Sequence, residues 1–225
     1  KSCGEKVPSW ITDMVDSGAK SFYVFEDGKK KFYDINTKKY KTVPSSENHY
    51  ILDAFRENKQ ILKNPECTVH DIGDGVMCIE FQTKGNSIGE GIAKGINEAI
   101  DIAEKDGWNG IVIGNNDKQF SVGANLMNMG MMAMQKNFDE IEKFLVGFQK
   151  ILMRMRTCNV PVVSATHGFV LGGGLEVSIH CDAGIHASES YIGLVEAGVG
   201  LIPGGGGTKE MAMRASDSFL SLIHI

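Results

Sequence analysis

The chain has 225 residues and a mass of 24.5 kDa, long enough to bury a core without disulfides or metal, and its 42% apolar and 23% charged residues are those of a folded domain rather than a disordered one. A net charge of −5 and a pI near 5.7 speak against a nucleic-acid partner, which needs a basic face, and no apolar run approaches the length of a membrane span. Glycine is the excess: 27 residues, of which 12 lie in 166–207.

Residues 8–18 read as a short helix, with Pro8 near its start and Gly18 as its stop. Residues 21–25 and 31–35 are β-rich and flank Asp27-Gly28, a hairpin signal. A polar stretch over 36–48 reads as a linker. The spacing of Ile51, Leu52, Phe55 and Leu62 predicts a helix over 49–62, ending before Pro65. Strands are expected at 67–72 and 75–81, joined at Gly73-Asp74-Gly75. Ile88, Ile92, Ile96, Ala99, Ile100 and Ala103 share one face of a helix over 88–103. Residues 110–113 form a short buried strand. The clearest helix is 138–155, apolar at every third or fourth position. A β-rich run at 161–165, a helix near 175–180, strands at 182–186 and 191–192 and a helix over 208–214 complete the order. Strands alternating with helices suggest an α/β fold with parallel pairing.

Charge changes along the chain. Residues 1–65 carry a net charge of +3 and residues 66–225 a net of −8, which hints at two units. The five cysteines (Cys3, Cys67, Cys78, Cys158, Cys181) are widely spaced and contain no CxxC pair, so the expectation is a reduced, cytoplasmic compartment.

The glycine-rich region carries two isolated carboxylates. Glu176 is the only charge between Arg156 and Asp182 and follows Gly172-Gly173-Gly174. It either complements the dipole of a helix start or sits beside a ligand that the glycines admit. Glu196 is the only charge in 191–203; it is either a surface loop residue or a buried carboxyl able to hold a proton near neutrality. Residues 157–208 contain no Lys or Arg, so negative charge there has to be stabilised by backbone N–H groups. The run Gly204-Gly-Gly-Gly-Thr-Lys209 fails as a phosphate loop because Thr precedes Lys, and Gly198-Val-Gly200 fails as a dinucleotide motif at Pro203. Met127, Met129, Met131, Met132 and Met134 read as gap-filling core, or as the lining of a pocket for a flexible acyl chain. His167, His180 and His186 lack metal-ligand spacing, and no metal site is expected. The run His180-Cys181-Asp182 is no triad, because sequence neighbours point apart.

Three motifs, Phe120-Ser-Val-Gly-Ala-Asn-Leu126, Gly168-Phe-Val-Leu-Gly-Gly-Gly-Leu-Glu176 and Gly193-Leu-Val-Glu-Ala-Gly-Val-Gly-Leu-Ile-Pro-Gly-Gly-Gly-Gly-Thr208, resemble the crotonase (enoyl-CoA hydratase/isomerase) superfamily in order and spacing. The resemblance covers roughly 66–216 and is nearest to the hydratase part of bacterial multifunctional 3-hydroxyacyl-CoA dehydrogenase/enoyl-CoA hydratase proteins. It implies a crotonase-like ββα superhelix over 66–225, C-terminally incomplete. A linker helix over 46–65 and a helix-plus-hairpin tail of a dehydrogenase domain over 1–45 would precede it. The implied reaction is hydration of 2-trans-enoyl-CoA to 3-hydroxyacyl-CoA in β-oxidation. Isomerisation, other enolate chemistry, or acyl-CoA binding without turnover are the alternatives. The resemblance assigns the oxyanion donors to the N–H groups of Ala124 and Gly173, the base to Glu176 and the proton donor to Glu196. Gly204 would face the water, and Ser87, Val122, Gly123 and Gly172 would line the thioester site. Asn125 replaces the usual Asp of the first motif. No cofactor is implied for the hydratase, since the CoA belongs to the substrate and NAD would serve only a dehydrogenase part. A homo-oligomer or a multienzyme assembly is the implied setting.

Overall fold

Apolar spacing organises two separate units, which divide between Lys59 and Gln60 in a computed structural model that describes residues 7–26, 29–44, 50–55 and 59–223. In the first unit, helix α1 (Ser9–Asp16) precedes strands β1 (Tyr23–Glu26), β2 (Lys29–Asp34) and β3 (Lys39–Thr42), which form an antiparallel sheet in the order β1-β2-β3. Met14, Tyr33, Asp34 and Leu52 are its buried residues among those described, and Trp10–Phe22 and Tyr33–Tyr40 meet edge to face at 5.7 and 5.6 Å. The β2–β3 turn is built on Asp34, whose Oδ1 accepts from the N–H groups of Asn36 (2.9 Å) and Thr37 (3.5 Å). The Lys41 side chain and the Asn36 N–H hold the Asp34 carboxyl at about 2.

The expected linker over 36–48 is therefore partly wrong, because its Lys39–Thr42 stretch pairs with β2. The expected Asp27-Gly28 turn lies outside the described residues. The helix expected over 49–62 is not found among the described residues of that stretch. Leu52–Ala54 make a single 3-10 turn, and Gln60–Lys63 form strand β4. No apolar residue stands between Phe55 and Ile61 to continue a helical face, and Leu62 instead pairs opposite Val69.

The second unit carries a six-stranded mixed sheet. Its strands are β4, β5 (Cys67–Asp71), β6 (Val76–Phe81), β7 (Gly110–Ile113), β8 (Val162–Thr166) and β10 (Ala183–His186), in the order β10-β8-β7-β6-β5-β4. The pairs β6–β7, β7–β8 and β8–β10 are parallel; β4–β5 and β5–β6 are antiparallel. Cys67, Val69, Met77, Ile79, Phe81, Ile111, Ile113 and Val162 alternate onto the core face. Helix α2 (Glu90–Asp106) covers β5, β6 and β7 with Ile92, Ile96, Ala99, Ile100 and Ala103, and stops at Gly107 in the left-handed region. The carboxylate of Glu66 accepts from the Ile92 N–H at 3.1 Å and satisfies a donor at the start of α2.

Helix α4 (Phe138–Thr157) packs on α2 and on α5 (Gly173–His180), burying Phe148, Leu152 and Met155. Helix α5 is buried throughout, and α6 (Gly207–Ile223) packs against it. A two-stranded parallel sheet joins β9 (Phe169–Leu171) to β11 (Tyr191–Gly193). Helix α3 (Leu126–Met134) buries none of its residues: Met127 is 79% and Met134 87% exposed. The methionine cluster is thus not core, which corrects the first of its two readings.

Leu152 is fully buried among Phe148, Met155 and the α2 face. Leu152→Ala should destabilise the domain by about 2–5 kcal/mol, read as a lower midpoint in urea unfolding.

Candidate active site

The loop after β7 enters the site as an extra strand-like segment stitched on both sides. Ser121 N–H donates to Phe169 O and Leu171 N–H to Ser121 O, both at 3.0 Å. On the other side, Ile88 N–H donates to Gly123 O at 2.8 Å and Asn125 N–H to Ile88 O at 3.1 Å. Ser121 Oγ donates to Asn86 O (2.7 Å) and accepts from Gly123 N–H (3.1 Å). Ala124 is held in place by its neighbours, yet its own N–H has no protein acceptor among the described residues. The same is true of Gly173 N–H, the first of helix α5. A methyl placed on Gly173 would lie 3.4 Å from Ala124 N, so the two unclaimed N–H groups lie side by side. Unclaimed N–H groups at a helix start are donors that an anion can use.

Gly172 precedes this helix with φ 51 and ψ −122, a conformation that side-chain-bearing residues rarely adopt. Its N–H donates to Gly193 O at 2.9 Å, tying the end of β11 to the start of α5. Glu196 follows three residues after β11 and opens a 3-10 turn, Glu196–Val199. A methyl on Gly172 would sit 3.1 Å from Glu196 Oε1. The side chain of Glu196 is half-buried. Its Oε2 is buried with no hydrogen-bond partner among the described residues, which rules out the plain surface reading.

Glu176 is 2% exposed and lies in the first turn of α5. It does not cap its own helix. Its Oε1 accepts from the N–H groups of Gly205 and Gly207, both at 2.8 Å. Burial pushes this carboxyl up from its ordinary value, and the nearby Glu196 charge adds to the rise; the two N–H bonds oppose it. The 205–207 turn can approach so closely only without side chains: a methyl on Gly205 would lie 2.7 Å from Glu176 Oε2, and one on Gly207 3.0 Å from Oε1. The role of this turn was not read from the sequence, although the Gly204-Gly-Gly-Gly207 run was its signal.

The remaining positions fall as follows. Gly204 leads into this turn, and its carbonyl accepts from Gln149 Nε2 at 2.6 Å. Val122 is exposed and its N–H donates to Gly85 O at 3.1 Å, while the Ser87 carbonyl accepts from Thr83 Oγ1 at 2.7 Å. Asn125 caps α3, its side chain accepting from Asn128 N–H at 3.3 Å. A cavity of about 140 Å³ is walled by Ile88, Met129, Met132 and Phe144 together with the polar Glu66, Glu90, Asn125 and Asn128. Met129 and Met132 are the members of the methionine cluster that line it. His180, Cys181 and Asp182 point to different partners, namely Glu176 O, Val177 O and Val162 N–H. Burial pushes the Cys78 and Cys181 thiols up to about 12, so neither is a nucleophile. No cluster of metal-ligating side chains occurs among the described residues.

The fold and the site define a crotonase-like domain. Its strand and helix arrangement superposes on enoyl-CoA hydratase from Thermoplasma volcanium GSS1 (TM-score 0.60, 24% identity, 71% of this chain and 64% of that one). It also superposes on enoyl-CoA hydratase from Polaromonas sp. JS666 (TM-score 0.62, 23% identity, 65% and 58%). The enoyl-CoA hydratase/isomerase family matches residues 71–220, and the chain belongs to that family. It is 40% identical over 209 residues to a probable 3-hydroxyacyl-CoA dehydrogenase of Bacillus subtilis (strain 168), covering 92% of this chain but 26% of that protein. It is 36% identical over 102 residues to a short-chain-enoyl-CoA hydratase of Clostridium acetobutylicum, covering 45% of this chain and 38% of that protein. The chain therefore spans about a quarter of the length of that dehydrogenase, and likewise of a putative fatty acid oxidation complex trifunctional enzyme of Rickettsia felis, to which it is 30% identical over 84% of this chain. Among the described residues, no helix is long and apolar enough to cross a membrane.

Replacing Gly172 tests the geometry of the helix start. Gly172→Ala forces a strained φ and presses on Glu196, and should lower stability by about 1–3 kcal/mol in thermal unfolding. Gly130→Ala, in open space on α3, should not.

Proposed function

We propose that this chain catalyses the addition of water to a 2-trans-enoyl-CoA, giving 3-hydroxyacyl-CoA, as the hydratase region of a larger bifunctional dehydrogenase/hydratase of β-oxidation. The observation that carries the proposal is the convergence of two unlike carboxylates on two unclaimed N–H groups. Glu176 is buried and held by backbone donors, whereas Glu196 offers an unpaired Oε2.

In this reading the thioester oxygen sits between the N–H groups of Ala124 and Gly173. Glu176 takes a proton from water as the water oxygen bonds to the β-carbon. The double-bond electrons move onto the thioester oxygen, where the two N–H groups stabilise the enolate. Glu196 then gives its proton to the α-carbon. The pair starts with one proton on Glu196 and ends with one on Glu176; its return to Glu196 resets the site. Water is a weak nucleophile, so the base is indispensable, and carboxylates in different environments divide the acid and base roles. Gly204 would face the water, and Ser87, Val122 and Gly123 would border the thioester. The substrate partner is an acyl-CoA and the setting a cytoplasmic oligomer or multienzyme assembly; the relatives named as fatty acid oxidation complex trifunctional enzymes support the multienzyme part of that setting.

The test is loss of the enone ultraviolet absorbance of a 2-enoyl-CoA. Glu176→Gln and Glu196→Gln should each lower kcat by roughly 10²–10⁴-fold. Unchanged rates in both variants would refute the reading. Because burial raises the Glu176 carboxyl, the ionised base is lost as pH falls through that raised value. The acid limb of kcat/KM should therefore lie above the ordinary carboxylate value of 4.5, and a limb at or below it would contradict the assignment of Glu176 as base.

A further inference from the structure

The turn that holds Glu176 is itself held by an ion pair outside the site, between a buried Glu210 and a half-buried Arg156. Glu210, in the first turn of α6, is 3% exposed. Its two oxygens receive Nη1 and Nη2 of Arg156, near the end of α4, at 2.7 and 2.6 Å. This is a two-pronged bond that defines orientation as well as distance. Arg156 Nη2 also donates to Ile179 O at 3.3 Å, and Arg214 Nη2 of α6 donates to the same carbonyl at 2.9 Å. Ile179 lies near the end of α5, so Arg156 ties three helices together. Glu210 N–H donates to Gly206 O at 3.0 Å, so the carboxylate that meets Arg156 stands on the turn whose N–H groups meet Glu176.

His180 fills the space between. Its Nδ1 bonds to Glu176 O at 2.7 Å and its Nε2 stands 3.8 Å from Glu210 Oε1. Burial lowers the His180 pKa, which favours the neutral ring with its proton on Nδ1, donated to that carbonyl. The charged and titratable groups around this unit are Glu176, Glu196, His180, Arg156, Asp182, Lys209, Glu210 and Arg214.

We propose that Arg156 and Glu210 are positioning residues: their ion pair sets the tilt of the first turn of α6, and through it aims the Gly205 and Gly207 N–H groups at the Glu176 carboxylate. The inference rests on the hydratase reading for its kinetic consequence but not for its structural one. Without the Arg156 fork, the start of α6 has no directional anchor at Glu210. The two N–H groups then drift from Glu176, and the carboxylate loses the donors that favour its ionised form.

Glu210→Gln keeps the shape and removes the charge. It should lower kcat near neutrality about ten- to hundredfold, as small misplacements of a reacting group do, while KM stays within about twofold. It should also move the acid limb of kcat/KM to higher pH. Arg156→Lys keeps the charge but loses the fork, and should give a smaller change in the same direction. A readout without turnover is the carbon-13 carboxyl titration of Glu176 by NMR, which should move upward in both variants. If the wild type does not hydrate enoyl-CoA, the functional reading fails, while an upward-shifted Glu176 titration still supports the pair. If Glu210→Gln does not fold, Arg156→Lys carries the same measurements. A Glu176 titration unmoved in a folded variant would overturn the proposal. So would a loss of kcat that merely tracks the unfolded fraction in thermal melts.

Discussion

The structure depends on one interaction: a single carboxylate oxygen, Glu176 Oε1, receiving two backbone N–H groups from a turn of glycines. A carboxylate buried this deeply is unfavourable unless its lone pairs are occupied. The occupants are main-chain groups, so no cation neutralises the charge and the carboxyl remains able to take a proton. Much of the surrounding sequence serves this contact. Gly205 and Gly207 lack side chains because a methyl would collide with the Glu176 oxygens. Helix α5 is buried throughout, so its first turn has no solvent to fall back on.

The second constraint is the pair of unclaimed N–H groups. Ala124 is fixed by the bonds of Gly123 and Asn125 to Ile88 and by those of Ser121 to Phe169 and Leu171. Gly173 is fixed by the left-handed turn at Gly172. Each donor is therefore rigid while lacking an acceptor, which is how preorganised donors stabilise developing charge without moving. Glu196, close to Gly172, has an unpaired buried oxygen, whereas Glu176 accepts two backbone N–H bonds, so the two carboxylates occupy unlike environments.

The site was more legible than the fold around it. Glu176 and Glu196 stood out because each is the only charge in a long apolar, glycine-rich stretch, and burial or half-burial of both is the structural cause of that pattern. Helices α2 and α4 were legible from period alone, since each presents one apolar face to the core. Strand β3 was not, because Lys39–Thr42 is polar and its pairing to β2 is all that makes it a strand. The stretch 60–63 misled because Leu62 continues a helical spacing that no residue between Phe55 and Ile61 supports. The Arg156–Glu210 pair was invisible for a different reason. Its members lie 54 positions apart, and only the packing of both α4 and α6 on α5 brings them together.

The most direct measurement is the product formed from a 2-enoyl-CoA in heavy water, read by NMR. The account predicts a hydroxyl on the β-carbon and one deuterium on the α-carbon, because Glu196 exchanges its proton with solvent before each delivery. Deuterium exchange or double-bond migration without a hydroxyl would contradict it, as would recovery of the substrate unchanged.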